Sequence, residues 1–108
     1  MSHEVNVCQL LGKPGLTRYR KDTTKENSGE QFRQDYLLPA LQEHKHVTLN
    51  LNGYNRYARS WLNEVIEGLI VDEGMNPIEL KERLVIKHDL LPNVVEFCNQ
   101  FIEKYIRV

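Results

Sequence analysis

The segment from Asn50 to Glu64 carries the residue types best suited to binding a charged partner. It reads Asn-Leu-Asn-Gly-Tyr-Asn-Arg-Tyr-Ala-Arg-Ser-Trp-Leu-Asn-Glu. Arg56 and Arg59 precede an apolar helical pattern, and no acidic residue lies in the same loop. A helix start offers unpaired N–H groups and the positive end of the helix dipole, both of which favour anions. The segment therefore predicts a local binding site for an anion or an acidic partner.

Ser60 stands directly before the apolar stripe of this helix. A serine at that position caps a helix by accepting a hydrogen bond from a backbone N–H of the first turn. The same hydroxyl can also carry a phosphoryl group. We expect Ser60 to act chiefly as the cap. We expect a partner or anion to contact its neighbours Tyr54, Arg56, Tyr57, Arg59, Trp61, Asn63 and Glu64.

Motifs for catalysis or for metal binding are missing from the sequence. It contains no Gly-rich phosphate loop, no nucleophile elbow and no H-E-x-x-H pattern. The four histidines have no cysteine or acidic cluster that would complete a zinc site; they are His3, His44, His46 and His88. We therefore expect no enzyme activity, no metal and no cofactor.

The length, charge and cysteine content of the chain limit the number of domains, the kinds of partner and the cellular location. The 108 residues suit one domain, spanning residues 1–108. Fourteen Lys and Arg against fifteen Asp and Glu give a net charge of -1, which exerts no overall attraction on nucleic acid or anionic membranes. Cys8 and Cys98 lie within apolar patterns and are expected to be reduced, as in the cytoplasm. No leader pattern or membrane-spanning run occurs, so we expect a cytoplasmic protein.

Periodicity places the segment on a framework of alternating strands and helices. Alternation predicts strands at residues 4–11, 16–20, 46–52 and 84–86. Ser28, with Gln31 three residues later, predicts the start of the first helix. Later helices are expected after Ser60, at Asn76-Pro77 with Ile78 and Leu80 facing inward, and at Pro92. The helix after Ser60 has the apolar stripe Trp61, Leu62, Val65, Ile66, Leu69 and Ile70. The pattern predicts an α/β fold with a single open mixed sheet of about four strands and helices packed on it.

On these residues the chain resembles the STAS-like domains of unknown function, small relatives of the bacterial anti-sigma-factor antagonists. The resemblance is carried by the strand–loop–helix junction, where Ser60, Trp61, Asn63 and Glu64 match the family pattern. It extends from about residue 11 to residue 101, with further matches at Gly15–Arg18, Ser28–Phe32 and Val47–Gly53.

This resemblance implies an open sheet with helices on it, no enzyme activity, and a role in protein–protein switching. In the antagonists a histidine-kinase-like ATPase phosphorylates the serine at this helix start, and only Ser60 matches that acceptor. Ala58 stands where an acid usually precedes the serines. We therefore expect a regulatory module of a bacterium or phage that docks a protein partner, such as a histidine-kinase-like ATPase, through residues 54–64.

A second hypothesis is nucleotide or nucleic-acid binding. Arginine and tyrosine side chains together can contact phosphates and stack on bases. The sequence offers such a local patch in Arg18, Arg20, Arg56, Arg59, Tyr19, Tyr54 and Tyr57. The slightly acidic net charge weighs against this hypothesis.

Overall fold

The chain alternates strands and helices in the computed structural model, which describes residues 3–12, 14, 19 and 27–106. The predicted α/β class, an open sheet with helices, is confirmed. In chain order the elements are β1 (His3–Asn6), α1 (Val7–Leu11), α2 (Gly29–Phe32), a π-helical segment (Arg33–Leu37), α3 (Leu38–Glu43), β2 (Val47–Asn50), α4 (Arg59–Val71), α5 (Pro77–Arg83), β3 (Leu84–Lys87) and α6 (Pro92–Ile106).

The sheet differs from the expected mixed sheet of about four strands. Within the described residues it has three strands in the order β1-β2-β3, and both pairings are parallel. The predicted strand at residues 4–11 is wrong in its second half, because the Asn6 side chain accepts the Gln9 N–H at 3.0 Å and starts α1. The predicted strand at residues 16–20 and the family match at Gly15–Arg18 lie outside the described residues, except for Tyr19.

Among the described residues, one face of the sheet forms the core and the other is more open to solvent. Val5, Leu49 and Ile86 are in register on the three strands, and all are buried. Glu4 and Val85, each one residue earlier, are exposed. Since successive side chains of a strand point to opposite faces, the helices pack on the face that carries Val5.

Helix α4 is the centre of the helical layer. It packs on α2 and the π-helical segment on one side and on α6 on the other. The predicted core stripe is confirmed, with Ile66 fully buried and only Ile70 partly buried. Gly29 allows the close approach of α2, because a Cβ there would lie 2.8 Å from the Trp61 carbonyl oxygen.

Candidate functional site

The segment predicted to bind a partner lies at the carboxyl edge of the sheet. There β2 continues through residues 51–58 into α4, and β3 continues through residues 88–91 into α6. Parallel strands in register end at the same edge, so these two loops and the starts of two helices lie side by side.

Side-chain hydrogen bonds join the two loops. The Asn50 Oδ1 atom accepts the Asn52 N–H at 2.9 Å, and the Asn52 Oδ1 atom accepts the Asp89 N–H at 2.8 Å. The buried His88 ring places Nε2 2.9 Å from the Tyr54 carbonyl oxygen. The β2–α4 loop is thereby fastened to the β3–α6 loop. The role of His88 and Asp89 could not be predicted from the sequence, because it depends on the strand register.

Tyr57 packs against the β2–α4 loop and helps to hold it in place. Its hydroxyl donates to the Leu51 carbonyl oxygen at 2.8 Å, and its ring meets the Tyr54 ring edge-on at 5.3 Å. Burial is the main reason that the pKa of the Tyr57 phenol is raised above its ordinary value. Tyr57 is half-buried, and its hydrogen bond to Leu51 positions the loop.

Ser60 is not the cap of α4, contrary to the prediction. The helix begins at Arg59, and Ala58 occupies the N-cap position with extended backbone angles. Ser60 lies inside the first turn and is half-buried. Alanine has no side-chain acceptor, and no side-chain hydrogen bond caps this helix in the part of the chain that is described. The first-turn N–H groups therefore face the carboxyl edge without a cap.

Trp61 and Glu64, predicted to contact a partner, lie inside the protein. Trp61 is fully buried against the Phe32 ring, and its indole N–H donates to the Asn27 carbonyl oxygen at 2.8 Å. Glu64 is buried and forms an ion pair with Arg33. Both side chains point from α4 toward α2 and the π-helical segment, so neither is accessible to a partner at the edge.

Arg33 is the centre of a buried ionic network that the sequence analysis missed. Its Nη1 atom donates to the Glu64 backbone oxygen at 2.8 Å, and Nε donates to Glu73 at 3.0 Å. Burial lowers the pKa of the guanidinium, but hydrogen bonds to Glu64 and Glu73 outweigh burial and raise it above the ordinary value. Gly68 makes room for this side chain, since a Cβ there would lie 1.8 Å from Nη1.

The remaining residues form a surface at the carboxyl edge. Asn55, Arg56 and Arg59 are exposed, whereas Asn63 is half-buried on α4. Leu90, 72% exposed, adds an apolar side chain from the β3–α6 loop. We call the following set the edge surface: Tyr54, Asn55, Arg56, Arg59, Ser60 and Leu90. No sequence pattern singles out Leu90, which is followed by half-buried Leu91 in the short β3–α6 loop.

The patch predicted for nucleic acid is only partly described. Arg56, Arg59 and Tyr54 share the edge surface, but Arg18 and Arg20 lie outside the described residues. Tyr19 is exposed. The described residues include no group of three or more His, Cys, Asp or Glu that could hold a metal ion. Within the same residues, no helix has the length and apolar character needed to cross a bilayer.

A family model described as a STAS-like domain of unknown function matches residues 28–89, more than half of the chain. The matched stretch begins at the Ser28 cap of α2 and includes β2, the β2–α4 loop, α4, α5 and β3. The resemblance seen in the sequence is therefore confirmed. No curated protein matches the chain, and no solved structure does.

Proposed function

We propose that this chain, which belongs to the family of STAS-like domains of unknown function, is a non-catalytic regulatory module. It docks a protein partner through the edge surface. The start of α4 carries the proposal, because no described side chain caps it and exposed Arg56 and Arg59 stand beside it. The helix dipole and two guanidinium groups make this spot positive on a chain with a net charge of -1.

The composition of the edge surface suits a protein partner. Arginine and tyrosine are enriched at protein interfaces, where they often carry much of the binding energy. Leu90 adds an exposed apolar side chain to the cationic spot. The hydrogen bonds between the loops hold the surface in place before binding, which lowers the entropy lost on association.

The partner that fits this surface has an acidic docking face. The resemblance to the anti-sigma-factor antagonists indicates a histidine-kinase-like ATPase in that role. Phosphorylation of Ser60 would place negative charge beside Arg56 and Arg59. That charge would offset the positive spot and weaken an acidic partner's attraction, so Ser60 is the proposed control point.

Charge reversal at Arg56 tests the proposal. We expect Arg56→Glu to weaken binding to a histidine-kinase-like ATPase of the same organism by roughly tenfold or more in calorimetric titration. Lys45→Glu is the matched control, because Lys45 is exposed just before β2, at the opposite edge of the sheet. Thermal unfolding checks that both variants are folded. Equal affinity in the two variants would contradict the proposal.

Nucleic-acid binding is the second candidate, supported by the shared position of Arg56, Arg59 and Tyr54 on the edge surface. Binding that depends on phosphate contacts must weaken steeply as salt rises. Fluorescence anisotropy with a labelled single-stranded oligonucleotide, measured over a salt series, separates the two functions. Tight, salt-sensitive binding that Arg56→Glu removes would replace the docking proposal. Absence of such binding excludes this alternative.

A further inference from the structure

A cleft of about 270 Å³ lies beside the edge surface, between the starts of α4 and α6. We call it the α4–α6 cleft; its lining residues are Tyr57, Arg59, Leu62, Asn93, Val94 and Phe97. Leu62 belongs to the core, and Val94 and Phe97 pack against the core while remaining half-buried. The floor of the cleft is therefore apolar and held in place by the core.

The size of the cleft favours one large side chain as its occupant. An apolar cavity of about 150 Å³ holds a benzene molecule, so a volume of 270 Å³ accommodates an aromatic ring with its linking atoms. Pockets for cofactors and other small molecules usually begin at about 300 Å³ and enclose most of the ligand. This cleft is shallow and open to solvent, so it would enclose little of such a ligand.

The charge of the cleft favours an acidic neighbour for that ring. Arg59 is the only charged residue among the described residues of the lining. Its guanidinium carbon lies 4.2 Å from the centre of the Phe97 ring, a cation–π contact that holds the group at the rim. A guanidinium held this way keeps N–H donors for a carboxylate, which it can bind through two hydrogen bonds.

We infer that the α4–α6 cleft receives an aromatic side chain from a partner segment in which acidic residues flank that aromatic residue. The ring packs against Val94 and Phe97, and a neighbouring carboxylate accepts hydrogen bonds from Arg59. This inference rests on the proposed function and specifies the chemistry of the docking segment.

Three short peptides test the chemistry of the occupant. The probe is acetyl-Glu-Asp-Phe-Asp-Glu-amide, with one control in which Ala replaces Phe and another in which Lys replaces the four acids. In a ¹⁵N–¹H NMR titration we expect the probe to shift amides at residues 59–62 and 93–97, and both controls to leave them unchanged. Equal shifts with all three peptides, or probe-induced shifts confined to other faces, would overturn the inference.

Filling the cleft tests whether the partner uses it. We expect Val94→Trp to weaken binding of the probe and of the ATPase by roughly tenfold. Gln100→Trp is the matched control, because Gln100 is exposed on the same helix and lines neither the cleft nor the edge surface. We expect this control to leave both affinities unchanged. Thermal unfolding checks both variants, and the peptide comparison on the unmodified chain decides the matter if either is unfolded.

The outcomes separate this inference from the proposed function. If Arg56→Glu weakens ATPase binding and a folded Val94→Trp variant does not, the cleft inference fails and the docking proposal stands. If neither change has an effect, both fail. Sedimentation equilibrium tests whether a second copy of this chain occupies the cleft. Self-association that Val94→Trp abolishes would assign the cleft to that second copy and overturn the inference.

Discussion

At the scale of single residues, Ser28 and Ser60 show how one sequence pattern leads to two structural roles. Each serine precedes an apolar helical pattern. Ser28 is buried and its Oγ accepts the Gln31 N–H at 3.1 Å, so its predicted capping role is confirmed. Ser60 lies within the first turn of α4, and Ala58 takes the N-cap position. Periodicity locates a helix start only to within a residue or two.

Three substitutions measure this difference. Ser28→Ala should reduce the free energy of unfolding by about 1 kcal/mol, because it removes a cap, whereas Ser60→Ala should change it by less than about 0.5 kcal/mol. Ala58→Ser should raise it by about 1 kcal/mol, because it supplies the missing acceptor. Urea unfolding measures all three. A loss for Ser60→Ala as large as that for Ser28→Ala would restore Ser60 as the cap.

At the scale of elements, capping residues predicted where helices begin better than apolar spacing predicted which side of a helix is buried. Asn76 caps α5 as expected, with Oδ1 accepting the Ile78 N–H at 2.8 Å. Leu80 is buried as predicted, but Ile78, predicted to face inward, is exposed. A helix of seven residues is too short for periodicity to define its buried face. The π-helical segment before Pro39 was not predicted, because the apolar spacing does not reveal it.

The Arg33 network is the element-scale feature that holds α4 to the π-helical segment. Glu64→Ala should lower the free energy of unfolding by about 3 kcal/mol, because Arg33 would stay buried with fewer partners. The matched control Glu82→Ala, at an exposed position on α5, should cost less than about 0.5 kcal/mol.

Replacing both members of the pair separates ionic pairing from packing. The double variant Arg33→Met with Glu64→Met should recover most of the loss, because apolar side chains of similar volume need no charged partner. Chemical denaturation measures each variant. If Glu64→Ala is as mild as the Glu82→Ala control, the network does not stabilise the fold.

At the scale of the whole molecule, the sequence predicted the location of the edge surface but not all of its members. The stretch from Tyr54 to Ser60, predicted to bind a partner, lies at the carboxyl edge between β2 and α4. Leu90 comes from another loop, which only the parallel pairing of β2 and β3 brings alongside. Trp61 and Glu64 carry much of the family resemblance, yet both are buried. The matches at Trp61 and Glu64 therefore reflect packing of the fold, whereas exposed Arg56 and Arg59, which precede them in the chain, are the candidates for partner contact.

The most direct test of the central claim is a hydrogen–deuterium exchange footprint of the chain with and without a histidine-kinase-like ATPase of the same organism. The docking proposal predicts slower exchange at residues 52–60 and 88–91, which form and support the edge surface. It predicts no change in α5, which leads into the start of β3 and so ends at the opposite edge of the sheet. Protection confined to α5, or to the open face of the sheet around Val85, would contradict it.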